Sequence, residues 1–509
     1  MNYADLLRVT MPETALEVAA LLVLLVDLGV LRKSGLRLRI AASATLGMLG
    51  CGVALMAIPF QAQSGLHAAD QLLLTAGGSA AVAQVGILGL TVFTLLLLFD
   101  TTFTRHVGEF VAITLMSATG GMLIAAAQDL LVIFIGLELL SLGLYVLTAF
   151  AKGSGKSAEA AIKYYLFGGM SAAFLLFGFS YLYGITGSTN LDEIMRATYG
   201  SNAVNATPLL MVALVMIAAG LGFKIAAVPF HLWAPDTYEG APAPAAAFIA
   251  SVSKVASFAL LISIGTAALH VFGDAHLIRF MIVSAGRLPR YIGFAAPWSF
   301  ALTILAVASM VLGNLAALAQ TSVRRLLAYS AIAHAGYMLL ALAYFSRSPV
   351  SAQAVLYYIL TYGLTAIGAF AVVGVVERVN GSDQIDAFAG LHRRNPILAG
   401  VMLVLFLSLA GIPPLVGFWA KFNLFTAVLE VAKGSVPFGL VALAVGMSAV
   451  SLYYYLQVLK RAFVVPTLDD RRIAVHPVTL TALLLITLGV VMAGCFPAIL
   501  QGWMQQFYS

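Results

Sequence analysis

Residues 208–229 read PLLMVALVMIAAGLGFKIAAVP, an apolar run interrupted by Lys224 and closed by Pro229. At about 1.5 Å per residue the run can cross a bilayer core of about 30 Å. A charge at mid-bilayer costs about 2.5–3.5 kcal/mol on insertion scales. Proline removes a helical donor and clashes with the preceding turn. In a membrane such a break persists only where the freed carbonyls face protein or a wet cavity. Glu138, Lys254 and Lys421 pose the same conflict, each flanked by long apolar stretches. Intramembrane charges are rare and by default mark a pathway for ions or protons.

The chain has 509 residues, 61% hydrophobic and only 9% charged, whereas soluble domains carry about 25% charged residues. This is an all-α polytopic membrane protein, with apolar surface facing lipid as well as a core. Its net charge of +6 fits loops rich in Lys and Arg on the cytoplasmic side and is no nucleic-acid signal. Cys51 and Cys495 lie in apolar segments near opposite ends, with no CxxC and no Cys/His cluster. An iron–sulfur cluster needs four such ligands, and neither a dinucleotide Gly motif nor a phosphate-binding loop is present. No cofactor or metal is therefore expected in this chain. If it serves a redox enzyme, the electrons travel elsewhere.

Hydropathy marks about fourteen spans, at roughly 14–31, 39–58, 82–99, 109–127, 130–150, 164–185, 208–229, 242–270, 299–319, 325–345, 352–378, 396–432, 437–463 and 476–497. The first has no basic region before it and no small-residue cleavage site after it, and reads as a retained helix. The seventh breaks at Lys224–Pro229, before a short amphipathic piece, His231–Tyr238. The twelfth breaks at Ile412-Pro413-Pro414. The two breaks resemble each other: Ala219-Gly220 and Gly222-Phe223 precede Lys224, and Ala410-Gly411 and Gly417-Phe418 precede Lys421. The breaks lie five spans apart, and an odd offset inverts the second unit, a recurring transporter plan. The expected organisation over 1–509 is a single domain with two inverted five-helix repeats, each containing a broken helix. Helices 1–3 run over roughly 14–99, repeat one over 109–270, repeat two over 299–463 and a last helix over 476–497.

Most Lys and Arg residues fall in loops that follow odd-numbered spans, among them Arg39, Lys152, Lys156, Lys163, Arg324, Arg325, Arg378, Arg394 and Arg461. Only Arg8, Arg196, Arg279, Arg287, Arg290, Arg347 and Lys433 fall on the other side. The positive-inside rule then puts both termini outside, on the periplasmic side of a bacterial inner membrane.

Helical rise places Glu138 roughly 13 Å, His334 roughly 14 Å and Lys254 roughly 18 Å into their helices, in one central layer. A buried lysine beside a carboxylate can exchange a proton as a neighbouring charge moves. Glu138 is expected to pair with Lys224 as a switch, Lys254 and His334 to relay the proton, and Lys421 to pass it to the exit side. The structural alternative is a Glu–Lys pair that only joins two helices. His334 either relays or bonds a carbonyl. Lys163 either joins the pathway or snorkels at the boundary. Asp27 and Glu109, near helix ends, read as solvated. Tyr453-Tyr454-Tyr455 reads as an interfacial belt or packing rather than the lining of a wet path.

The stretch Phe223–Pro242, with Pro-Asp-Thr-Tyr-Glu-Gly-Ala-Pro at Pro235–Pro242, resembles the signature of the antiporter-like subunits of respiratory NADH:quinone oxidoreductase (complex I), and among them the N type. Gly136–Ser141, Ala161–Tyr165, Ser330–Tyr337 and Gly411–Lys421 resemble it too, in order, over essentially the whole chain. The M type is expected to carry a glutamate where Lys421 stands, and the L type a long lateral helix. The resemblance implies that Glu138, Lys224, Lys254 and Lys421 fall on proton-pathway positions. It implies partners among the other antiporter-like and small hydrophobic membrane subunits, with NADH, flavin and iron–sulfur centres in other chains. A subunit of a multi-subunit sodium/proton antiporter shares the fold and the lysines, and Tyr238-Glu239-Gly240 speaks against it. A scaffold that only holds its neighbours is the third reading.

Overall fold

The computed structural model describes residues 7–63, 74–75, 77–101, 103–198, 207–273, 295–345, 350–432, 434–466 and 471–507. Of the basic residues weighed above, Arg279, Arg287, Arg290, Arg347 and Lys433 lie outside them. Helices stand wherever the hydropathy pattern expects a span. In chain order they are α1 (Met11–Leu25), α2 (Leu36–Gln63), α3 (Gly78–Leu96), α4 (Val107–Ala126), α5 (Leu130–Thr148), α6 (Gly155–Thr186), α7 (Leu191–Thr198), α8 (Thr207–Lys224), α9 (Trp233–Gly240) and α10 (Ala243–Gly273). They continue as α11 (Ala295–Leu318), α12 (Val323–Ala343), α13 (Val350–Asn380), α14 (Leu391–Arg394), α15 (Pro396–Ala410), α16 (Val416–Val431), α17 (Ser435–Phe463), α18 (Pro477–Cys495) and α19 (Pro497–Gln505). Among the described residues, eleven helices are long and apolar enough to cross a membrane, and α8 and α15 are shorter apolar helices.

Helix α10 is the axis of the bundle. Its most apolar window is wholly buried, packed between α3 and α4 on one side and α13 on the other. A helix apolar all round is a buried one, and the residues that break the pattern here are Ser251, Ser253, Lys254 and Ser257, all buried. Ser251 and Ser257 return their hydroxyls to the carbonyls of Ala247 and Ser253. By contrast α6, α17 and α18 expose much of their apolar surface.

Close helix pairs rest on glycine. A Cβ on Gly313 would lie 2.7 Å from the Ala333 nitrogen, and one on Gly336 would lie 2.8 Å from the Ala306 carbonyl oxygen, so α11 and α12 approach backbone to backbone.

Both breaks are where the sequence puts them. After Lys224, Ala226 takes a left-handed φ of 59°, a conformation a non-glycine residue adopts only when its surroundings enforce it. The freed groups are satisfied: Trp233 Nε1 donates to the Phe223 carbonyl at 2.8 Å, and the Val228 N–H donates to Ser309 Oγ at 2.9 Å. In the second break Gly411, φ 87°, caps α15. Trp419 Nε1 there donates to the Gly494 carbonyl at 2.8 Å.

Loops predicted to share one face do gather at one end. Lys156 meets Glu239, Arg325 meets Asp236 and Glu239, Arg324 meets Glu377, Arg378 meets Asp100, and Arg461 meets Asp386. Asp27 corrects the expectation of a solvated group. It is fully buried where α1 passes into a π turn, Val26–Val30, and accepts a two-pronged hydrogen bond from Arg39 at 2.7 and 2.5 Å. Glu109 is only partly exposed and accepts from His106 at 3.0 Å.

Candidate functional site

Three lysines and one histidine converge inside the bundle, each buried. Lys254, on α10, has no carboxylate partner among the described residues. Its ammonium donates to the carbonyls of Ile225 (3.2 Å), in the first break, and Ala331 (3.0 Å), on α12. One turn beyond Ala331 stands His334. Its Nδ1 shares a 2.6 Å hydrogen bond with the Tyr358 hydroxyl on α13, and its Nε2 is buried without a hydrogen-bond partner among the described residues. The imidazole is walled by Tyr337, Tyr358 and Tyr362, with ring centres 5.8, 5.8 and 4.9 Å away. It lies within electrostatic reach of both Lys254 and Lys421. Lys421, on α16, donates to the carbonyls of Leu409 (3.1 Å) and Ala410 (2.8 Å), freed by the second break, and to Ser448 (2.8 Å). Its ammonium sits 5.6 Å from the centre of the Tyr337 ring, a cation–π contact. Each break thus supplies carbonyls to a buried lysine.

Lys224 differs from expectation. The pairing read from the sequence was with Glu138, yet its ammonium donates to Ser141 Oγ, whose hydroxyl continues to the Leu137 carbonyl. Glu138 forms no hydrogen bond or ion pair within the chain among the described residues and acts on Lys224 through space only. The reason is helical spacing: Glu138, Ser141 and Tyr145 share a face of α5. Ser141 stands one turn closer, and the Tyr145 ring centre lies 5.9 Å from the ammonium. Glu138 itself is half-buried.

Lys163 does not join the central group. It lies at the basic end, paired with Asp236 at 2.8 Å and Glu159 at 2.6 Å. Asp236 also accepts from Arg325 at 2.7 Å, and Glu239 accepts from Lys156 and Arg325, both at 3.0 Å. Burial alone would raise both carboxyls. Hydrogen bonds from Lys163 and Arg325 to Asp236, and from Lys156 and Arg325 to Glu239, outweigh it and hold both below the usual carboxylate range.

Several polar residues of the interior escape sequence reasoning. Asn314, on α11, donates to the Tyr337 hydroxyl at 2.9 Å and accepts from Tyr454 at 3.1 Å. Tyr455 meets Ser330. Two tyrosines of the 453–455 run are therefore enclosed and hydrogen-bonded; only Tyr453 faces outward. Glu13, buried on α1, accepts from Gln84 at 2.8 Å. A lone Asn in the apolar 299–319 run and Glu13 at the edge of the first span are the signals available in the sequence.

A layered α-helical membrane bundle with two broken helices and a buried row of cations defines a class of intramembrane ion-handling proteins. Residues 127–289 and 281–448 match the family described as NADH:quinone oxidoreductase/Mrp antiporter, TM. The chain is 46% identical to NADH-quinone oxidoreductase subunit N 2 of Acidobacterium capsulatum, covering 99% of each. It is 42% identical to subunit N 1 of Roseiflexus castenholzii, covering 83% of this chain and 77% of the relative. A chain of respiratory complex I from Thermus thermophilus with bound aureothin superposes with a TM-score of 0.76, at 31% identity and 96% and 98% coverage of this chain and that one. The Mrp complex of Dietzia shares the fold alone, with TM-score 0.76, 19% identity and 97% and 96% coverage. The chain belongs to the subunit N family of NADH-quinone oxidoreductase.

Proposed function

We propose that protons cross this subunit along the buried row Lys224, Lys254, His334 and Lys421, with Glu138 at its edge. As a subunit N, the chain is the proton-translocating membrane component of a larger NADH:quinone oxidoreductase. The observation that carries the route is Lys254: an ammonium in the wholly buried stretch of α10, bonded among the described residues only to carbonyls. Such a group can hold or release its proton at a cost that a neighbouring charge can tip. His334, in reach of Lys254 and Lys421, joins the two halves. Lys163 belongs to the surface ion network and sets the position of the short helix α9.

The finer reading adds about fourteen crossings in two inverted five-helix units, and both termini on the periplasmic side of a bacterial inner membrane. Asp236 and Arg325 then face the cytoplasm. Flavin, iron–sulfur centres and quinone sit in partner subunits. The half-buried Glu138 is covered by a neighbouring membrane subunit, because a carboxylate facing lipid would be costly. Similarity to subunit N over the whole chain favours this reading over a sodium/proton antiporter.

The test is Lys224→Ala in the intact complex, with assembly, proton pumping and NADH:quinone turnover measured on the same membranes. An assembled complex that loses pumping and coupled turnover supports the route. Normal pumping by an assembled complex would leave Lys224 a structural group and favour the scaffold reading.

A further inference from the structure

We infer that Tyr337 is a positioning residue for proton transfer at Lys421: its ring face holds the ammonium beside His334, and its hydroxyl, bonded to Asn314, holds the ring. The inference rests on the role of Lys421 in the route proposed above.

Lys421 has three N–H donors, and three acceptors take them: the carbonyls of Leu409 and Ala410 and the hydroxyl of Ser448. None of the three is an anion, and the side chain is buried. The Tyr337 ring, with its centre 5.6 Å from the ammonium, adds the pull of an aromatic quadrupole, which acts on an ammonium and is lost with the neutral amine. Ring faces recur at the other break. There the Lys224 ammonium lies 5.9 Å from the centre of Tyr145 and 5.8 Å from that of Phe223.

The same ring reaches the other partner of the transfer. His334 precedes Tyr337 by one turn of α12, on the same face, and the two rings meet at right angles with centres 5.8 Å apart. Tyr337 thus contacts both the imidazole and the ammonium. In the step it serves, an imidazolium N–H is lost and a Lys421 N–H is gained. Tyr337 keeps its own proton, and no electron moves.

The ring is fixed from several directions. The Asn314 amide donates to the Tyr337 hydroxyl at 2.9 Å and to the Met310 carbonyl at 2.7 Å, and it accepts from Tyr454 at 3.1 Å. Phe425, one turn beyond Lys421 on α16, meets the ring edge-to-face at 6.0 Å. Gly336, the neighbour of Tyr337 in the chain, brings α12 against the Met310 backbone. Tyr337 itself is fully buried. A ring that only filled space would serve equally well with its π density withdrawn.

That difference is the test, made in the intact complex with assembly checked. Tyr337→Phe keeps the ring and removes its bond to Asn314, and Tyr337→Leu removes the ring. Phenylalanines carrying one, two or three ring fluorines are also installed at position 337, which drains the π face with little change of shape. Coupled turnover is expected to fall about threefold in Tyr337→Phe. It should fall about tenfold in Tyr337→Leu and with the trifluorinated ring, the losses between following the order of fluorination. Pumping falls in step, while NADH oxidation by a soluble artificial acceptor is unchanged. Parent-like turnover in Tyr337→Leu, or a fluorinated series level with Tyr337→Phe, overturns the inference and leaves the ring as packing. Lys421→Ala separates this from failure of the route. If it stops pumping while the fluorinated series is level, only the role of Tyr337 falls. If an assembled Lys421→Ala complex pumps normally, the role of Lys421 and the inference fall together.

Discussion

At the scale of single residues, the interior is organised by neutral partners around charges. Asn314 shows this most plainly, since one amide joins Tyr337 on α12 to Tyr454 on α17. Asn314→Leu leaves two buried hydroxyls without that partner, at about 1–3 kcal/mol each. The expected outcome is a lower unfolding temperature of the purified complex, with subunit content unchanged. Gly411→Ala tests the second break. With φ at 87° a side chain is strained, by about 1–2 kcal/mol. The added Cβ would also lie 2.9 Å from Lys421 Cδ. The ammonium is then pushed off the carbonyls of Leu409 and Ala410, and coupled turnover should fall in a complex that still assembles.

Among elements, α11 and α12 depend on reciprocal glycine contacts, and these fix where His334 sits. Gly336→Val places methyl groups against the Met310 and Ala306 backbone. Neither backbone can yield, so the expected result is loss of the subunit from membranes, read by its abundance beside its partners. This scale also separates what the sequence made legible from what it did not. Apolar runs and proline breaks read directly, because a span must satisfy its own backbone. The burial of Lys254 and His334 was legible from the apolar stretches on both sides of each. The partner of Lys224 did not, because Glu138 and Ser141 share a face of α5 and only packing decides which one the ammonium reaches. Asp27 looked solvated because the π turn that buries it, and the reach of Arg39 back to it, leave no trace in composition. Tyr358, Tyr362 and Tyr454 looked like any aromatic residues in apolar helices. Their roles come from helices distant in sequence.

For the whole molecule, ion pairs tie together one end of the bundle. Asp236 and Glu239 are carboxylates held below their ordinary range, so their contribution is present in full above about pH 4. It is lost as pH falls through the folded-state values. The difference in unfolding temperature between the parent complex and Asp236→Asn should therefore be constant from pH 6 to 8. It should shrink as pH falls below the ordinary carboxylate range and vanish only once the parent carboxyl is itself neutral. A difference that persists at low pH would assign the effect to packing.

The complete burial of the most apolar stretch of α10 also bears on biogenesis. When this helix leaves the ribosome, α3, α4 and the Ile225 carbonyl are already in place, but the second carbonyl that receives the Lys254 ammonium, that of Ala331, belongs to a residue 77 positions later in the chain. The sealing surface of α13 is later still. For that interval the nascent helix holds an ammonium with one of its two acceptors missing, and a row of hydroxyls, against lipid or the insertion machinery. Translation arrest between α10 and α12 should therefore trap a species in which a cysteine at position 254 is accessible, and release into α13 should protect it.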